Sequence, residues 1–92
     1  MDYYAVSYVY RDRKEDLDRI RPAHRAFLGS LEQLVASGPL PETSPSRALL
    51  VLRGESVEHV EEILDADPFR TAGLIAERTV ERWLPVIGVF AT

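Results

Sequence analysis

Residues 3–10 read Tyr-Tyr-Ala-Val-Ser-Tyr-Val-Tyr, a stretch in which aromatic and β-branched residues dominate. Such residues favour an extended backbone, so the stretch predicts a β-strand. Both faces of this strand are largely apolar, which is typical of a strand that is covered on both sides. Residues 48–53, Ala-Leu-Leu-Val-Leu-Arg, have the same character and predict a second buried strand that ends at Gly54.

A helix is predicted between these two strands. Pro22 suits its first turn, where a missing N–H costs nothing, and Gly38 followed by Pro39 stops it. Apolar residues recur between these points at three- and four-residue steps, as expected for one buried helical stripe: Phe27, Leu28, Leu31, Leu34 and Val35. The mixed charges of residues 11–21 predict a solvated loop. Residues 38–47 predict a loop, or a short edge strand that closes into a loop.

The second half of the chain predicts another helix and another strand. Ser56 is a suitable N-cap, and the helix should end near residues 65–66 because the residue before a proline avoids the α region. Residues 67–74 predict a tight turn with a short helical piece. Residues 76–90 predict the last strand, with a bend or an edge at Pro85.

This order of elements predicts a single domain over residues 1–92, of the α+β class, with the ferredoxin-like βαββαβ plan. Two helices would cover one face of an antiparallel sheet. The other face would be bare in a monomer although it is largely apolar, and an exposed apolar face is an aggregation hazard. We therefore expect a homodimer joined face to face through its sheets.

The composition excludes several classes of function. The chain has 11 basic and 15 acidic residues, a net charge of −4, which argues against a nucleic-acid partner because such binding depends on neutralising phosphates. It has no cysteine, so disulfides, thiolate zinc sites and thiol nucleophiles are excluded, and a cytoplasmic location is favoured. The longest apolar runs are about five residues, whereas a membrane-spanning helix needs about 20.

His24 lies on the apolar stripe of the first predicted helix, three residues before Phe27 and four before Leu28, in the predicted first turn. A histidine can take up a proton near neutral pH, and both burial and the positive end of a helix favour the neutral ring. A carboxylate would fix the orientation of the ring, and Asp67 is the natural candidate. Two alternatives stay open: a hydrogen-bonded core histidine, and an ordinary turn in which Asp67 precedes Pro68.

Other polar residues give weaker signals. His59 is expected to face solvent near Glu62, and one histidine with scattered acids does not predict a metal site. Ser7 shares a strand face with Ala5 and Val9. It could supply a polar contact to a pocket, or it could be a small residue tolerated in a packed strand. No cofactor is predicted.

Several short segments, in their order along the chain, resemble those of the YCII-related (YciI-like) family of small dimeric α+β barrel proteins. They are Arg21-Pro22-Ala23-His24, Ser37-Gly38-Pro39, Ala66-Asp67-Pro68-Phe69 followed by Ala72-Gly73-Leu74, and the late Trp83. The resemblance spans almost the whole chain. It implies a ferredoxin-like protomer, a homodimer and a site built on a histidine and an aspartate, which are His24 and Asp67 here.

The resemblance also sets the expected function. We expect Gly38, Pro39 and Phe69, which belong to these segments, to line a pocket for a small molecule. Some relatives eliminate chloride from chlorinated muconolactone-type compounds. The first hypothesis is therefore an enzyme without a cofactor, in which His24, oriented by Asp67, moves a proton in an elimination, a dehalogenation or an isomerisation next to a carbonyl. The alternative is a non-catalytic dimer that binds a small molecule or another protein.

Overall fold

The structure is a computed structural model that describes residues 1–91. In chain order its elements are β1 (Asp2–Tyr10), α1 (Lys14–Gly29), β2 (Leu34–Leu40), β3 (Arg47–Gly54), α2 (Val57–Leu64), α3 (Pro68–Thr71) and β4 (Ile75–Trp83). The order is βαββαβ, with the short α3 between α2 and β4. None of the helices in residues 1–91 is long and apolar enough to cross a membrane.

The four strands form one antiparallel sheet in the order β2-β3-β1-β4. The two central strands, β1 and β3, are the ones that the sequence marks as apolar on both faces. Their register pairs Tyr4 with Leu52 and Tyr8 with Ala48. The ferredoxin-like α+β prediction is confirmed.

The hydrophobic core lies between this sheet and the two longer helices. Alternate residues of β1 (Tyr4, Val6 and Tyr8) are buried on one face, because side chains along a strand point alternately to opposite sides. They pack with Leu50 and Leu52 of β3 and with three helical residues, Leu28, Val60 and Leu64. Each fully buried side chain of this size contributes about 1.5–3 kcal/mol. Because buried residues of both helices pack against the same face of the sheet, both helices lie on that face, as predicted.

Helix α1 begins earlier than predicted, because the mixed charges of residues 14–21 are arranged for a helix, and only residues 11–13 form the predicted loop. Lys14 pairs with Asp18 at 3.2 Å, and Asp18 pairs with Arg21 at 2.6 Å. Charges three or four residues apart are neighbours on a helix surface. Pro22 consequently lies inside the helix, on an exposed side, where its missing N–H removes one intrahelical hydrogen bond.

Helix α1 also ends earlier than predicted, at Gly29. Leu34 and Val35, which extended the apolar stripe of the helix, belong to β2, and Gly38 and Pro39 lie within that strand rather than at a helix end. The alternative of an edge strand in this region is confirmed, with an earlier start. Because β2 is at the edge of the sheet, a proline is tolerated there.

Strand β4 ends at Trp83, so the prediction of a strand up to residue 90 is wrong. Pro85 cannot donate to a ladder, and the chain beyond Trp83 leaves the sheet. It turns back so that Phe90 contacts Tyr3 and Trp83, with ring centroids 6.0 and 5.8 Å apart, respectively. Hydrophobic content alone did not distinguish this segment from a strand.

Candidate functional site

The fold brings together His24 of α1 and Asp67 of the turn before α3, which are 43 residues apart in the chain. His24 Nδ1 lies 2.8 Å from Asp67 Oδ1 and 3.0 Å from Oδ2. Asp67 is fully buried, and His24 is 9% exposed. The contact joins the helix layer to the turn that leads into the last strand.

The Asp67 carboxylate accepts two further hydrogen bonds. The backbone N–H of Phe69 donates to Oδ1 at 2.9 Å, which makes Asp67 the N-cap of α3. The Tyr8 hydroxyl, from β1, donates to Oδ2 at 3.1 Å. For Asp67, the sequence leaves a local turn and a pair with the histidine as alternatives. In the structure, the one carboxylate makes the hydrogen bonds of both.

These contacts fix the orientation of the imidazole ring. A carboxylate only accepts hydrogen bonds, so Nδ1 of His24 carries a proton, and in the neutral ring the free lone pair is on Nε2. Nε2 has no hydrogen-bond partner within residues 1–91. Because no buried side-chain nitrogen or oxygen in those residues lacks a partner, Nε2 is in contact with solvent. The arrangement leaves one nitrogen free to exchange a proton.

Phe69 holds the imidazole from one side. Its ring stacks on His24 with centroids 4.1 Å apart and planes 19° apart. Phe69 is itself buried against Leu17 and Leu74, and its ring makes a T-shaped contact with the ring of Tyr10, with centroids 5.2 Å apart. The ring of His24 is therefore held by packing as well as by its hydrogen bond.

His24 opens onto a cavity of about 560 Å³ between α1 on one side and β2 with its following loop on the other. This volume lies within the usual range for small-molecule sites, about 300–1,000 Å³. The lining that bears on function consists of Tyr10, Arg21, His24, Arg25, Glu42 and Phe69. The wall thus combines aromatic surface with three arginines, of which Arg47 of β3 is the third, one carboxylate and the free edge of the imidazole.

Of the other predicted pocket residues, three line the cavity and one lies on the opposite face of the sheet. Gly38 and Pro39 line the cavity from β2, and Phe69 lines it from α3. Ser7 does not: it is on the opposite face of the sheet, with Ala5 and Val9, because Tyr8 is the residue of β1 that faces the helices. Strand alternation alone could have shown that Ser7 and Tyr8 lie on opposite faces.

His24 does not lie at the positive end of a helix, so this prediction is wrong. Because α1 begins at Lys14, His24 lies in the third helical turn, and the effect of the helix dipole is limited to the first and last turns. Of the predicted features of its surroundings, His24 keeps two in the structure: it is buried, and it contacts Asp67.

Two tyrosines near the pair remain protonated well beyond neutral pH. Burial raises the pKa of Tyr8 above its ordinary value, and the neighbouring Asp67 carboxylate raises it further. Burial, again with the charge of Asp67, raises the pKa of Tyr10 to about 12. Both hydroxyls are therefore hydrogen-bond donors at any pH near neutrality.

His59 is half-buried rather than solvent-facing, and Nδ1 of its ring accepts a hydrogen bond from the backbone N–H of Glu55 at 3.1 Å. Its ring closes the turn before α2, where Ser56 Oγ accepts from the His59 backbone N–H. Within the described part of the chain, no three His, Cys, Asp or Glu side chains are grouped so that they could hold a metal ion.

Comparisons with known proteins show the family and the fold of the chain. The family model of the YCII-related domain matches residues 1–84. No curated protein matches the sequence. A similar solved structure is 5-chloro-2-hydroxyhydroquinone dehydrochlorinase (TftG) from Burkholderia phenoliruptrix, in complex with 2,5-dihydroxybenzoquinone. It has 26% identity and a TM-score of 0.77, and the alignment covers 88% of this chain and 92% of that one.

Two more distant structures show the same fold. One is a dimeric ferredoxin-like protein of unknown function from Thermobifida fusca, with 14% identity, a TM-score of 0.55 and 90% of each chain covered. The other is a ferredoxin-like dabb family protein from Mesorhizobium loti, with 10% identity and a TM-score of 0.55, covering 96% of this chain and 100% of that one.

Proposed function

The chain belongs to the YCII-related family, and we propose that it is an enzyme that uses the His24–Asp67 pair to move a proton in an elimination on a small cyclic molecule. The observation that supports this most directly is the free Nε2 edge of a histidine whose other nitrogen is held by a buried carboxylate. That is the arrangement of an oriented general base.

The proposed reaction is the loss of HX, where X is a halogen, from the keto tautomer of a hydroxylated ring, in which the halogen is on a saturated carbon next to the carbonyl. Nε2 of His24 takes a proton from the substrate, and the electron pair of the broken bond forms a new π bond. The carbon–halogen bond breaks with its electrons on the halide, which leaves to solvent. No oxidant or reductant is consumed. The imidazolium stays paired with Asp67 until it returns the proton to water.

The similar dehydrochlorinase supports this choice of substrate class. Its name describes the removal of HCl from a hydroxylated, chlorinated ring, and its complex holds a hydroxylated quinone. A planar ring of that size is compatible with a cavity of about 560 Å³ walled by Phe69 and Tyr10. We propose that the ligand of this chain is likewise a planar ring with oxygen substituents.

The experiment is to incubate the purified wild-type chain with 5-chloro-2-hydroxyhydroquinone and to measure chloride release with an ion-selective electrode. We expect catalytic release, with one chloride per ring converted and no added metal or cofactor. NMR signals of the His24 ring should shift when the ring compound binds, while those of His59 stay in place. Binding at His24 without turnover would contradict the enzyme proposal and favour the non-catalytic binding module.

We also propose that the protein is a homodimer joined through the sheet face opposite the helices. That face carries the half-buried Ala5, Ser7 and Val9 of β1 and, beside them on β3, Leu49, which is 42% exposed. The dimeric neighbour from Thermobifida fusca has the same fold. A second copy would cover this apolar surface.

Light scattering should therefore give twice 10.4 kDa at micromolar concentration. Leu49→Arg places a charge in the proposed interface and should give a folded monomer, because an unpaired buried charge is strongly unfavourable. Ala26→Arg, at an exposed position of α1, is the matched control and should stay dimeric. A wild-type monomer, or a dimer of the Leu49→Arg variant, would refute the proposed interface.

A further inference from the structure

Tyr10 occupies a position that the proton-transfer proposal leaves without a role. It lies at the end of β1, makes a T-shaped contact with Phe69 at 5.2 Å, and lines the same cavity as His24. Phe69 is stacked on His24 at 4.1 Å. Tyr10 and His24 therefore flank one aromatic ring, and both border the space that a ligand would fill.

The hydroxyl of Tyr10 is free, unlike that of Tyr8. Tyr8 donates to Asp67, whereas the Tyr10 hydroxyl makes no hydrogen bond to any residue in 1–91. No buried side-chain oxygen in that part of the chain lacks a partner, so this hydroxyl reaches solvent. Most of the ring is nevertheless packed, against Tyr8 at 6.1 Å and against Phe69, which limits where the hydroxyl can point.

A positive charge accompanies this hydroxyl. Arg21 lines the cavity from α1, one helical turn before His24. Its guanidinium forms an ion pair with Asp18 at 2.6 Å. Burial and the Asp67 charge raise the pKa of Tyr10, and the Arg21 charge acts in the opposite direction. The charge of Arg21 is thus felt at the hydroxyl, which remains a donor.

We propose that the Tyr10 hydroxyl is a catalytic hydrogen-bond donor that holds the substrate oxygen on which negative charge develops, in a cavity that Arg21 makes more positive. This inference rests on the proposed function and adds the group that stabilises the negative charge on the substrate. When His24 removes a proton next to a carbonyl, the electrons move onto that oxygen. A fixed donor lowers the barrier because its bond strengthens as the charge grows.

The inference narrows the substrate class. The ligand must present an oxygen to Tyr10 and an acidic hydrogen to His24 at the same time, as a ring with a carbonyl or enol oxygen next to the reacting carbon does. A ring that lacks this oxygen should bind by packing alone, and it should not react.

The kinetic test is Tyr10→Phe, which removes only the oxygen, with Tyr3→Phe on the opposite sheet face as the matched control. Loss of a donor of this kind typically lowers kcat about 10²-fold or more. We expect a fall of that size in kcat with KM changed less than about 3-fold, and no change in the control. Unchanged kcat in Tyr10→Phe would overturn the inference.

A binding test separates this inference from the enzyme proposal. The probes are 2,5-dihydroxybenzoquinone, whose acidic hydroxyls are ionised near neutral pH, and uncharged hydroquinone, each located by the shift of the His24 ring signals. We expect Tyr10→Phe to weaken the quinone about 10-fold and hydroquinone by less than 2-fold. Equal effects on the two probes, or no binding of the quinone at His24, would overturn the inference whether or not the wild type turns over.

Discussion

Replacing His24 by glutamine is expected to lower kcat for halide release by about 10²- to 10⁴-fold, the usual contribution of a positioned general base. Glutamine has a similar reach and an amide that can donate to Asp67, so the buried carboxylate keeps a partner in place of Nδ1. It cannot accept a proton at neutral pH. The loss should therefore fall on kcat, and the unfolding temperature should change little.

The matched control is His59→Gln. His59 is the other histidine of the chain, and its ring caps a turn before α2, away from the cavity lining. We expect full activity from this variant in the same chloride assay. Activity retained in His24→Gln, or lost equally in both variants, would show that His24 is not the base.

Strands β1 and β3 could be predicted closely from the sequence, whereas the ends of α1, the start of β2 and the end of β4 could not. Strands β1 and β3 are short runs of β-branched and aromatic residues, and their burial on the helix side agrees with their composition. For α1, the apolar spacing from Phe27 continued by coincidence into Leu34, which is in β2. The charge pairs that start the helix also suit a loop, because interleaved signs occur in both structures and only their three- and four-residue spacing favours the helix.

The contact between His24 and Asp67 could not be predicted from the spacing of residues in the sequence. Residues 43 positions apart can meet only if the fold brings them together, and it was the family resemblance that joined His24 to Asp67. Tyr8 and Tyr10 were visible as aromatic residues on one strand face. Their different roles follow from one contact, the hydrogen bond that Tyr8 makes with Asp67 and Tyr10 does not.

Asp67 links the chemistry to the stability of the fold, because one carboxylate caps α3, anchors Tyr8 of the central strand and orients His24 of α1. Asp67→Ala should therefore lower the free energy of unfolding by at least about 3 kcal/mol, since it leaves three buried donors without their acceptor and each costs about 1–3 kcal/mol. Urea denaturation followed by circular dichroism measures this loss. Domains have only about 5–15 kcal/mol in total, so the variant should be marginally stable.

Asp65→Ala is the matched control two residues away. Its carboxylate is about half exposed and pairs at 2.9 Å with Arg70, which is also exposed, and with Arg78, whose side chain is mostly buried. Solvent screens the Asp65 charge, and Arg78 keeps Glu61 as a partner, so we expect a much smaller loss. Asp67→Asn keeps one carbonyl oxygen but replaces the other oxygen with a donor that faces Tyr8 or His24, so it should fall between the two. Equal stability of the Asp67→Ala and Asp65→Ala variants would show that the buried network does not hold these layers together.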